Sequence, residues 1–60
     1  MTFRTYLTSR AMRNVKNIIK TEDLNVSVNT KTNALGDDVI EVTGSKEEIL
    51  VLREVFNMIH

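Results

Sequence analysis

The clearest periodicity lies at the C-terminal end of the chain. Ile49, Leu52, Phe56 and Ile59 recur at helical spacing, and the run from Ser45 to His60 is rich in good helix formers. Ser45 and Glu48 form an S-x-x-E capping box, in which each side chain satisfies an orphan backbone N–H of the other residue, and Gly44 just ahead lets the chain turn. Val51, Val55 and Met58 widen the apolar arc to roughly 180°, whereas one sheet face needs a stripe of little more than about 100°. Leu50 falls among the polar residues Lys46, Glu47, Arg53, Glu54 and Asn57. The apolar surplus is a candidate contact surface.

In the middle of the chain the period changes to two. Leu24, Val26 and Val28 alternate with Asn25, Ser27 and Asn29, the pattern of a half-buried strand. Asp38 to Thr43 reads as its partner, with Ile40 and Val42 facing the core and Glu41 and Thr43 facing out. Lys31 to Asp37, with Asn33 and Gly36 as turn residues, connects the two as a hairpin. Ser9 to Lys20 is again amphipathic in the helical sense. Ala11, Met12, Val15, Ile18 and Ile19 lie on one arc, and Arg10, Arg13, Lys16, Asn17 and Lys20 on the other.

The segment from Thr2 to Thr8 reads two ways. Its β-branched and aromatic residues, with Phe3, Thr5 and Leu7 on one face, favour a strand that ends at the N-caps Thr8 and Ser9. Phe3, Leu7, Ala11, Val15 and Ile18 also trace one helical stripe, which gives the alternative order αββα. The strand reading yields βαββα, a small α+β domain spanning residues 1–60 with both helices on one face of the sheet. A right-handed crossover lays the first two strands parallel, and the third fits between them, antiparallel to both. This is a ferredoxin-like arrangement lacking its last strand. It leaves an open edge on the first strand, which invites strand addition by another chain, with Arg4 as the charge that guards against aggregation.

Composition narrows the function. A chain of 60 residues buries only about 60% of its unfolded surface, and domains this short usually need a disulfide, a metal or a partner chain. There is no cysteine, and the single histidine, His60, is terminal, so the expected staple is a protein partner, either another protein or a second copy of this chain. Met1 to Ile19 lacks the unbroken apolar run of a secretory signal, and no stretch approaches the roughly 20 apolar residues of a membrane span. A cytoplasmic location is expected.

No Ser or Thr nucleophile has a histidine base to pair with, and His60 reads as a solvated helix-end residue. Asp37-Asp38 reads as turn chemistry and Glu47-Glu48 as helix N-terminal charge. Two glycines, Gly36 and Gly44, make no phosphate-binding loop. No catalytic, cofactor or metal residues are therefore expected.

Charge supplies the remaining candidates. Net charge is zero, but residues 1–33 carry +4 and residues 34–60 carry −4. Arg10, Arg13, Lys16 and Lys20 form a basic band that suits phosphates or an acidic protein face, or is simply solvated. An isoelectric point near 6.5 and the shortage of stacking aromatics weigh against nucleic acid. In its length, and in its lack of cysteine and of catalytic side chains, the chain resembles the small early inhibitor proteins of large tailed phages. In particular it is similar to the T-even phage antitoxin family of Dmd. That resemblance is one of size and overall character. It implies a direct inhibitor of a host toxin endoribonuclease, acting in the host cytoplasm, with Asp37, Asp38, Glu41, Glu47, Glu48 and Glu54 as phosphate mimics facing a basic RNA cleft. Partner-binding candidates are Leu50, Val51, Glu54 and Met58 with Asp37, Asp38, Glu41 and Glu47. The alternative is a small nucleic-acid-binding regulator using the basic band.

Overall fold

The computed structural model describes residues 1–59, so the helix-end role expected of His60 lies outside the described residues. The elements run β1 (Thr2–Tyr6), α1 (Ser9–Thr21), β2 (Ser27–Thr32), β3 (Asp38–Thr43) and α2 (Lys46–Met58). Residues 2–6 are a strand, which sets aside the αββα alternative. The helical stripe through Phe3 and Leu7 fails because Thr8 ends the extended segment: its Oγ1 accepts from the Ala11 N–H at 3.0 Å and caps α1.

The sheet order is β1-β3-β2, with β3 antiparallel to both neighbours. This is the ferredoxin-like order without a fourth strand beside β1. Phe3, Thr5, Val28, Ile40 and Val42 share the face covered by the helices. The core joins Ile40 and Val42 to Ala11, Val15 and Ile18 of α1 and to Ile49 and Leu52 of α2.

Strand β2 starts three residues later than the alternation predicts, and the cap of α1 explains why. Asp23 adopts a left-handed φ of 52°, and the Leu24 N–H donates back to the Ile19 carbonyl at 3.0 Å, closing a Schellman-type turn. The Asn25 N–H donates to a Glu48 carboxylate oxygen. With those two amides engaged at helix ends, the ladder begins at Ser27, although Leu24 and Val26 still pack against the core. At its other end β2 gains Lys31 and Thr32, which pair with Val39 and Asp38, so the connection shortens to residues 33–37. Asn33 organises that loop: its Oδ1 accepts from the N–H groups of Leu35 and Asp37, both at 3.0 Å, while Gly36 takes the left-handed φ of 86°.

The α2 cap is only half the reciprocal box. Ser45 Oγ accepts from the Glu48 N–H at 3.3 Å and donates to Glu48 Oε1 at 2.9 Å. The other Glu48 oxygen turns away to Asn25, so the carboxylate ties α2 to the α1–β2 connection instead of closing on Ser45 N–H. Ser45→Ala removes both the cap and the hydroxyl that holds Glu48 Oε1. Chemical denaturation is expected to show a loss of about 1–2 kcal/mol, the upper part of the usual N-cap range.

Candidate surfaces for binding

The face of the sheet turned away from the helices is an ordered grid. Tyr6, Val39 and Lys31 form one row, Arg4, Glu41 and Asn29 the next, and Thr2, Thr43 and Ser27 the last. At its centre Glu41 accepts from Arg4 Nε at 2.9 Å and meets Lys31 Nζ at 3.2 Å. The Glu41 side chain is 12% exposed, whereas both cations reach into solvent. Their hydrogen bonds, first from Arg4 and then from Lys31, hold its carboxyl below the ordinary 4.5. A carboxyl so depressed stabilises the fold above its unfolded value and loses that contribution as pH falls through the folded value. Glu41→Gln should therefore flatten the acid limb of the stability–pH curve below about pH 4.5 without changing its shape near neutrality. Urea titrations of both proteins across that range check this.

Glu41 is thus committed within the molecule, and the other acidic candidates are dispersed. Asp38 accepts from the Thr32 hydroxyl at 2.8 Å, and Asp37 sits in the hairpin loop. Glu47 and Glu48 lie at the opposite end of β3, and Glu54 is exposed on α2. The fold does not bring the six acids into one patch. The basic band stays coherent: Arg10, Arg13, Lys16 and Lys20 are all exposed on α1, and none makes an ion pair among the described residues.

The surplus apolar face of α2 resolves into two parts. Glu48, Val51, Val55 and Met58 lie along the flank that Glu48 ties to the α1 side; Val55 packs against the core, while Val51 and Met58 remain exposed, Met58 at 83%. Leu50, Arg53 and Asn57 lie along the opposite flank, Leu50 half-buried.

The β1 edge is the surface that pattern reading located most directly. The Leu7 N–H donates to the Asp38 carbonyl at 2.9 Å, and Gly44 N–H donates to the Met1 carbonyl at 3.1 Å. In an antiparallel ladder these bonds alternate, so the odd residues of β1 face β3. The backbone N–H and C=O groups of Thr2, Arg4 and Tyr6 point out of the sheet, with no ladder partner among the described residues.

Shallow hollows on the open sheet face are lined by Arg4, Tyr6, Asn33 and Val39, with Lys31 and Glu41 alongside. Among the described residues no three His, Cys, Asp or Glu side chains are grouped as metal ligands, and no helix is long and apolar enough to cross a membrane. Comparison of the chain with protein-family models, with curated proteins and with solved structures finds no match.

Proposed function

We propose that this chain is a non-enzymatic protein-binding module of the inhibitor type, and that its partner is a toxin endoribonuclease. The observation that carries the reading is the β1 edge, where the alternate residues Thr2, Arg4 and Tyr6 offer backbone donors and acceptors for strand addition. The exposed Val51 and Met58, on the flank of α2 away from that edge, offer a separate apolar area that a partner can cover. Asp37, Glu47 and Glu54, which have no ion-pair partner among the described residues, supply negative charge toward a basic RNA cleft. Affinity purification from the cells in which the chain is made should return one stoichiometric protein whose RNA cleavage the chain stops. A clean monomer with nothing captured contradicts the reading.

A second reading, a nucleic-acid-binding regulator, draws on the exposed and unpaired band of Arg10, Arg13, Lys16 and Lys20. It predicts retention on DNA or RNA that weakens by about 0.9 log units per log unit of salt for each duplex phosphate neutralised. Replacing all four residues by Ala then abolishes retention. No retention by the unaltered chain ends this reading.

A further inference from the structure

The β1 edge has a roof, and the roof restricts what can dock there. Helix α2 lies over β1, where the Phe56 ring meets Phe3 edge to face with centroids 5.3 Å apart. A helix is about 10–12 Å across with its side chains, while neighbouring strands are about 4.8 Å apart. α2 therefore overhangs the lane beside β1 by about one strand. Glu48, through its bond to Asn25, sets the rotation of the helix, so the flank over that lane is the one bearing Leu50, Arg53 and Asn57.

From this the geometry points to a lone extended segment of a partner protein, alternating apolar and acidic residues, as the occupant of the β1 edge; the inference rests on the protein-binding reading above. The added strand takes its hydrogen bonds from Thr2, Arg4 and Tyr6. Its side chains alternate between two environments. One set enters the space beneath α2, beside Leu50, where an apolar side chain is favoured. The other set lies on the open sheet face beside Arg4, which is 69% exposed and has donor capacity beyond its Glu41 bond. That positive charge makes acidic residues the complementary ones on this face.

A second copy of the chain does not fit. Pairing β1 with β1 across a two-fold axis continues the sheet with all helices on one face. It brings two α2 helices, each centred over its own β1, to about one strand spacing of 4.8 Å, where packed helices need about 8–10 Å. The edge thus admits a strand that carries no helix above it.

The probe is a fluorescein-labelled seven-residue peptide alternating glutamate and valine, with a lysine–valine counterpart. Fluorescence anisotropy should show saturable binding of the acidic peptide and none of the basic one. Arg4→Glu should weaken binding by about tenfold and shift preference to the basic peptide. Thr2→Pro removes an outward N–H and leaves the ladder to β3 intact, so it should lower affinity with an unchanged circular dichroism melt. Equal binding of both peptides, or none, overturns the inference. So does sedimentation that shows a dimer which Thr2→Pro dissociates. A captured protein that leaves the Thr2, Arg4 and Tyr6 amides unperturbed removes this inference while the protein-binding reading stands; failure to capture any protein removes both.

Discussion

Leu52→Ala is expected to leave a large fraction of the chain unfolded at room temperature. Leu52 is 0% exposed and lies where α2 meets the sheet and α1, in a core of seven buried side chains among the described residues. Truncating a buried leucine costs about 2–5 kcal/mol, from lost transfer energy and the cavity left behind. A domain of 60 residues has about 3–9 kcal/mol in total at typical stability per residue. The neighbours cannot easily collapse into the space, because Ile40 and Val42 are held by the central strand β3, and Val15 and Ile49 by the two helices. The loss should therefore fall in the upper part of its range. Urea denaturation followed by circular dichroism checks this; a midpoint shift worth less than about 1 kcal/mol contradicts the assigned core.

Gly44→Ala should cost about 1–3 kcal/mol for a different reason. Gly44 does not occupy the left-handed region, so the conformational freedom that a turn would demand is not what requires it. It is required because the chain passes against Val26: a Cβ at position 44 falls 2.6 Å from Val26 Cγ1. Val26 is β-branched and stiff at χ1, so it cannot rotate away cheaply. Val26→Ala takes away the clashing methyl and leaves Cβ at 3.4 Å, an ordinary contact. The double variant is expected to lose less than the sum of the single losses by about 1 kcal/mol or more. Strict additivity in a double-mutant cycle contradicts this close approach.

These two variants also mark how far the sequence could be read. Period-two and period-3.6 patterns are local and identify faces, so Ile40, Val42, Ile49 and Leu52 fall on the buried sides that the periodicity assigns them. The open β1 edge followed from chain order and crossover handedness alone. What eluded the pattern was long-range use of backbone and carboxylates. The Schellman turn at Asp23 and the capture of Asn25 N–H by Glu48 delay β2 to Ser27, and neither leaves a trace in hydrophobic periodicity. For the same reason Gly44 read as a turn residue, since its neighbour Val26 is distant in sequence. Glu41 faces out as the alternation requires, but its commitment to Arg4 and Lys31 depends on strand register. Register also separates the acidic candidates, which composition alone had grouped as one negative half. The overhang of α2 is a property of packing, not of any residue type.

The central claim is that β1 is a binding edge for protein. It is tested most directly by amide hydrogen exchange on the chain alone and in complex with the protein it captures. The prediction is selective slowing at the outward amides of Thr2, Arg4 and Tyr6, with Phe3 and Thr5, already bonded to β3, nearly unchanged. Slowing confined to the β2 edge at Val28, Thr30 and Thr32, or to the α1 face bearing Arg13 and Lys16, with the β1 amides exchanging as in the free chain, would contradict it.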